Sequence, residues 1–338
     1  MRQQQTTGHY VPDTGKYSLR NPHTMRSRLM LEVASEFGGV RSWPHKQPLI
    51  YMRAQGATEW AVTLFGSDSA EVVPQVGRGE ITFAIVNPGA VLGLAIRGVG
   101  PYPEPIPVRA ITILPQFDQL GFAVHRRTGI TSFSDLRDKR YPLKVSVRGQ
   151  LDHSVLTVIR EVIGAVGITF DDIESWGGKV IFDPDLPDQR VKGVPSGDVD
   201  AIWDEAMPMY AAAAWDADMR FLRFDEDHLK KLEAMGLRRV KLNREVFPQI
   251  TDEVWAIDFS GWTVYTIDTT PDEYVTAFCE ALEARKDRIP FFTPGPYSLA
   301  GDGGLPLDRM CRDTPEGPLY IPLHPAAERF WRQQGYLA

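Results

Sequence analysis

An α/β fold is predicted for this chain by three observations. Short apolar, strand-like runs alternate with helical ones along most of its 338 residues. The run Ile81–Val86 (ITFAIV) is short and rich in β-branched residues, the kind buried in a parallel sheet. The stretch Tyr51–Leu92 strings together a strand, a loop of small polar residues, a short helix and a strand that stops at Asn87-Pro88-Gly89. A helix start then lies beside a strand end, which is where small polar ligands are held in such folds. No repeat is evident and no long linker divides the chain, so any two lobes are joined by short crossing strands.

Composition bounds the function. Apolar residues make up 43% and charged residues 24%, as in a well-packed soluble protein. The net charge is −7 with a pI near 5.6, and no Lys/Arg cluster stands out, which argues against nucleic acid or an anionic membrane as the main partner. Cys279 sits in an apolar helical run and reads as a core residue, with a disulfide to Cys311 left open. No CxxC pair or His/Cys cluster points to a metal, and no motif calls for a cofactor. The first 23 residues lack the apolar core of a secretory leader, and no apolar stretch reaches roughly 18 residues. On this basis the chain is expected to be cytoplasmic, or a mature form whose leader was replaced.

The elements follow in order. Residues 1–22 read as an extended arm and His23–Phe37 as an amphipathic helix stopped by Gly38-Gly39. Pro48–Ala54 is a strand. Asp68 is expected to cap the short helix of the first unit, with Glu71 in the capping-box position and Pro74 as an awkward interior residue. Strands follow at Val108–Gln116 and Leu120–Val124, then a helical turn capped at Thr131 or Ser132, then a strand at Leu143–Val147. The loop Arg148–Ser154 feeds a helix whose apolar positions Val155, Val158, Ile159, Val162, Ile163 and Val166 keep a helical period. Strands at Lys179–Phe182, Val199–Trp203 and Phe221–Phe224 alternate with helices at Gln189–Val194, Met209–Asp216 and His228–Met235. Two strand-like pieces flank Gly261-Trp262, Pro271–Lys286 is a helix, Ile289–Leu305 a Gly/Pro loop, and Pro325 opens a last helix.

Two helix starts carry small polar residues, Gly66-Ser67-Asp68 in the first unit and Gly149-Gln150 to Ser154 in a later one, and exposed amides there favour an anion. Ordinary capping is the plainer reading of each. The rule that open α/β sheets bind ligands beyond their strands' carboxyl ends picks out Asn87, Arg148, Asp204 and Glu205. Arg148 is suited to grip a carboxylate, while Asp204-Glu205 suits an amine, a hydroxyl or a cation, or a pairing with Arg148. Trp203 and Trp262 are candidates for cleft walls, or core residues. Catalytic signatures are scarce: there is no nucleophile elbow, HExxH, P-loop or dinucleotide fingerprint. His125 and His153 are the two histidines placed near strand or helix ends where a general acid or base would stand.

These residues carry a resemblance. The segment AQGATEWAVTLFGSDSAEVVPQVGRGEITFAIVNPGAV resembles its counterpart in TAXI-type receptors of TRAP transporters, where a small-residue loop and helix precede a G-E/D-x-x-x-A-I/L-V strand. GITSFSDLRDKRYPLKVSVRG is similar to that family's hinge segment, GDVDAIWDEAMPM to its G-x-I-D-A strand, and PLHPAAERFWRQQGYL to its C-terminal helix. The resemblance spans about residues 40–338. It implies a type 2 periplasmic-binding-protein fold: lobe 1 from 23–120 and 240–338, lobe 2 from 121–239, closing on a small, often carboxylated solute delivered to membrane transporter subunits. The matching site positions are Gly66, Ser67, Asn87, Gly149, Asp204 and Glu205. The chain departs from the family's small G-S-G-T loop with Gly149-Gln150-Leu151-Asp152-His153-Ser154, and Asp138 stands where Gly is usual. The alternative on the same fold is an enzyme acting on an aromatic or other carboxylate through His125 or His153. A ligand sensor for a regulator is a third reading.

Overall fold

The structure is a computed structural model describing residues Leu29, Met30, Val33, 49–53, 59–67, 69–242, 247–250, 254–288 and 304–338. The chain divides into Met1–Gln47 and Pro48–Ala338. In the first unit only Leu29, Met30 and Val33 are described, helical and exposed. The 1–22 arm, most of the 23–37 helix and nearly all of the 289–305 loop lie outside the described residues.

From Pro48 onward, strands and helices alternate as expected. The strands are β1 (Leu49–Met52), β2 (Val62–Gly66), β3 (Phe83–Val86), β4 (Val108–Leu114), β5 (Gln119–His125), β6 (Lys144–Arg148), β7 (Lys179–Asp183), β8 (Ala201–Asp204), β9 (Met219–Phe221), β10 (Arg239–Lys241), β11 (Trp255–Asp258) and β12 (Trp262–Ile267). The α-helices are α1 (Val73–Gly77), α2 (Ala90–Arg97), α3 (Phe133–Lys139), α4 (Ser154–Ala165), α5 (Phe170–Ser175), α6 (Pro187–Arg190), α7 (Met207–Asp216), α8 (Glu226–Met235), α9 (Asp272–Arg285), α10 (Leu307–Met310) and α11 (Pro325–Gln333).

Two sheets result. The first has the order β1-β2-β3-β12-β4, and the second β10-β11-β5-β8-β6-β7 with β9 paired to β5. The pairs β2–β3, β6–β7 and β6–β8 are parallel. The chain passes from the first sheet to the second between Leu114 and Gln119 and returns between Asp258 and Trp262. Since β10 and β11 belong to the second sheet, the return falls later than the residue-240 boundary expected from sequence. The two crossing segments are bonded to each other: Phe259 N donates to Asp118 O at 3.1 Å, Gly261 N to Gln116 O at 2.9 Å, and Ser260 Oγ to Asp118 O at 2.8 Å. Pairing satisfies backbone groups that would otherwise be orphaned in a buried position.

One apolar cluster belongs to both sheets. It runs from Val86, Val91 and Leu94 on the first side to Val145, Val158 and Ile159 on the second. Separate clusters cover the outer faces, one around Ile111, Phe330 and Trp331, the other around Ile202, Met207 and Tyr210. The sides also meet where α2 lies on the end of α8: a Cβ at Gly93 would stand 3.0 Å from Gly236 O. Arg238 reaches across to the C-terminal segment, donating to Leu319 O at 2.9 Å.

Local sequence accounts for the differences from expectation. Ser69 caps the turn before α1, its hydroxyl accepting from Glu71 N at 3.2 Å; Asp68, the expected cap, lies outside the described residues. Pro74 falls in the first turn of α1, where its missing N–H has no helical partner to lose. Helix α5 was not expected, although Thr169 and Asp172 form a complete capping box. Cys279 and Cys311 are both buried, free thiols, so the disulfide left open is not formed.

Candidate functional site

The period of two along a strand decides which side chains meet. On β6, Val145 and Val147 point into the shared core, so Ser146 and Arg148 share the other face; on β8, Ala201 and Trp203 point inward, and Ile202 and Asp204 take the other face. Arg148 and Asp204 each end one of two neighbouring parallel strands and meet there. Arg148 Nη2 donates to Asp204 Oδ1 at 3.0 Å and also pairs with Glu205 Oε1, while Nη1 lies 2.9 Å from His153 Nε2. Arg190, from α6, pairs with Asp204 Oδ2 and reaches Ser146 Oγ at 3.3 Å. All six side chains are buried. His153 Nδ1 accepts from Val155 N at 3.0 Å and so caps α4, which holds the imidazole in place.

Two guanidiniums thus face two carboxylates out of contact with water, and a third carboxyl joins them. Asp118, on the first crossing segment, lies in the field of Glu205 and Arg148, and burial, with Glu205 adding to it, pushes its pKa well above the usual carboxylate range. Burial, assisted by Arg148, pushes the Arg190 guanidinium down to about 10, so it stays charged at neutral pH. Tyr210 Oη donates within 3.2 Å of both Gly121 O and Asp204 O and closes the cluster from α7. Several polar atoms at this end of the sheet lack a partner among the described residues: Glu205 Oε2, Arg190 Nε and both ends of the Gln119 amide. Buried polar groups are nearly always satisfied, so an orphaned set marks either a binding function or a cost to stability.

The remaining expected positions fall differently. Gly149 follows Arg148, and a Cβ there would lie 2.7 Å from Asp183 C, which explains why the loop opens on glycine. Gln150 and Ser154 stand in the same loop and helix start, with Gln150 Oε1 buried and unpartnered among the described residues. Ser67 accepts from Ser69 N at 3.0 Å just beyond Gly66, the last residue of β2. Asn87 is buried and its Nδ2 lies 3.3 Å from Phe259 O and 3.2 Å from Gly261 O. It ties β3 to the second crossing segment, so its donors serve the join between the sheets.

Trp203 does not wall a cleft: it is fully buried in the shared core, ring to edge with Phe122 at 5.5 Å. Trp262 is half-buried at the start of β12, with Nε1 unpartnered among the described residues. His125 does not join His153. It ends β5, whose antiparallel register puts Gly121 opposite Asp204 and Val124 opposite Ala201, so His125 lies at the other end of the strand from Arg148 and Asp204. Its Nδ1 accepts from Arg127 N at 2.9 Å. Sequence reasoning missed Asp118, Gln119, Arg190 and Tyr210. The one sequence signal was Asp118 standing directly before an apolar strand; the others look like ordinary surface or core residues.

Among the described residues no group of His, Cys, Asp and Glu is arranged to hold a metal ion, and no helix is long and apolar enough to cross a membrane. No protein-family model and no curated protein matches the chain. Solved structures do match. One is the alkanesulfonate-binding protein SsuA from Xanthomonas axonopodis pv. citri bound to MOPS, at 14% identity over 64% of this chain and 60% of that one, with a TM-score of 0.31. A second is a TctC solute-binding protein from Polaromonas, at 14% identity over 64% and 67% of the two chains and a TM-score of 0.32. A third is the ATP phosphoribosyl transferase complex from Thermotoga maritima, at 14% identity over 80% and 94% and a TM-score of 0.34. The chain therefore spans 60% of the length of the first of these. Similarity at this level assigns no role to any residue here.

Proposed function

We infer that this chain is a solute receptor that takes up a small organic acid at the Arg148–Asp204–Glu205 cluster and presents it to the membrane subunits of a TRAP-type transporter. The observation that carries this reading is the buried set of opposed charges at the carboxyl ends of β6 and β8, next to the two crossing segments. The sequence resemblance to TAXI-type receptors supports it independently. In this reading lobe 1 is the first sheet with its helices, lobe 2 is the second, and the crossing segments are the hinge on which they close.

The charges of the cluster balance internally, so naked positive charge is not what would capture a solute. Arg148 already holds Asp204 and Glu205. The unmet capacity is Glu205 Oε2, Arg190 Nε and the Gln119 amide, a mixture of acceptors and donors. That mixture suits an acid that also carries a hydroxyl or an amine. The enzyme reading through His125 is not favoured, because His125 stands at the wrong end of β5.

The test is thermal unfolding in the presence of simple carboxylates, hydroxy acids and amino acids. A true solute at about 100 times its Kd adds about 2.7 kcal/mol, and the midpoint rises by several degrees. Glu205→Gln weakens that solute at least about tenfold, the loss of one charge-assisted contact. A panel in which no acid moves the midpoint sinks the reading.

A further inference from the structure

We propose a second, separate binding site on the β9 edge of the second sheet, one that takes a small aromatic oxyanion. Beside β9 lies a cavity of about 150 Å³ lined by Arg126, Arg220, Arg223, Trp215, Ile250 and Val254. A cavity of about this volume holds one benzene ring. β9 runs alongside Ala123–His125, whereas Asp204 sits opposite Gly121, so this cavity and the Arg148 cluster occupy opposite ends of β5.

The chemistry of the lining divides into two halves. Three arginines line one small space, and among the described residues only Arg126 of the three has a carboxylate partner, Asp218 at 3.3 Å, on an exposed side chain. Arg220 Nε is buried and lacks an acceptor among the described residues. Like charges gathered at a partly desolvated site, with a buried donor unmet, are stabilised by an oxyanion that accepts from several of them at once. The other half is flat and apolar. The Arg126 guanidinium stacks over the Trp215 ring at 5.5 Å, which holds the indole at the cavity wall, and Ile250 and Val254 belong to the adjoining apolar cluster. A headgroup at Arg220 and Arg223 with a single ring against Trp215 satisfies both halves. Phosphate, sulfonate and carboxylate share the headgroup chemistry, and a dianionic phosphate gains most from three guanidiniums.

Calorimetric titration of the full chain with phenyl phosphate tests this, with benzenesulfonate, benzoate and inorganic phosphate as further probes. One phenyl phosphate should bind saturably, ahead of the two monoanions. Arg220→Met and Arg223→Met should each weaken it about tenfold or more, and Trp215→Leu should bring its affinity down to that of inorganic phosphate. Arg223 is exposed, so its variant keeps the fold and decides the matter even where the Arg220 variant does not fold. No saturable binding by any probe, or binding unaffected by Arg223→Met, overturns the site. Inorganic phosphate binding the intact chain as tightly as phenyl phosphate overturns its aromatic half.

Discussion

Arg148 Nη2 lies 3.0 Å from Asp204 Oδ1, and both side chains are almost wholly out of solvent. Each residue ends a strand, and the strands are parallel neighbours, so the pair is set by sheet register. A buried ion pair is weak evidence for stability, since desolvation offsets much of the attraction. Breaking one by removing a single partner is a different matter. Arg148→Met leaves Asp204 facing Arg190 alone and Glu205 with only His153 Nε2 at 3.8 Å, and should cost about 3–5 kcal/mol. Denaturant unfolding reads it, and combining Arg148→Met with Glu205→Gln should recover part of the loss.

Asn87 makes a second specific demand. Its amide donates to two carbonyls of the segment that leads back into the first sheet. Asn87→Leu keeps the branched shape and leaves Phe259 O without its donor, while Gly261 O still accepts from Gly89 N at 3.3 Å, and a loss of about 1–3 kcal/mol is expected. If the variant unfolds at the same denaturant concentration as the parent, the join between the sheets does not depend on this side chain.

The α2–α8 contact depends on backbone approach. Gly236 has φ +104°, and a Cβ there would stand 2.9 Å from Gly93 O and 2.7 Å from Arg97 Nη1. Gly236→Ala combines a disfavoured backbone region with a steric clash and should destabilise by about 1–3 kcal/mol. Arg97 is a flexible side chain and can retreat, but the Gly93 carbonyl cannot. Gly164→Ala, in an open position within α4, should be neutral or slightly stabilising in the same assay.

The pH response of Asp118 has a definite sign. Its folded pKa is raised by burial, then by Glu205, so the folded chain binds this proton more tightly than the unfolded one. Stability from this group is fully present below the ordinary carboxyl pKa of about 3.9 and is lost as pH rises through the raised value. Asp118→Asn removes that titration. The difference in unfolding free energy between Asp118→Asn and the parent should therefore grow in the variant's favour from pH 5 to pH 8. His125, lowered chiefly by burial, acts in the opposite direction, which is why the comparison is made within one pair of proteins.

How much of this was legible beforehand follows from where each signal resides. ITFAIV and VDAIW were readable as strands because burial on both faces leaves a short run with few polar residues. Arg148 and Asp204 stand out as candidates because they stop such runs. Their mutual pairing was left open, since strand order is a tertiary property. Nothing local says that β5 runs antiparallel to β8, so the sequence does not show that His125 lies at the far end of β5 from Asp204. Arg190 was missed since an arginine on a polar four-residue helix looks solvated, and only the packed sheet shows it reaching Asp204. The sheet to which the segment after residue 240 belongs is hidden for a similar reason: β11 pairs with β5, more than a hundred residues away in sequence, and β10 follows by pairing with β11.

If the buried cluster holds the solute, calorimetric titration of the best-stabilising acid into parent, Glu205→Gln and His125→Gln chains shows it. One site per chain is expected, with an affinity lowered at least about tenfold by Glu205→Gln and unchanged by His125→Gln. Saturable binding that Glu205→Gln leaves untouched would contradict it.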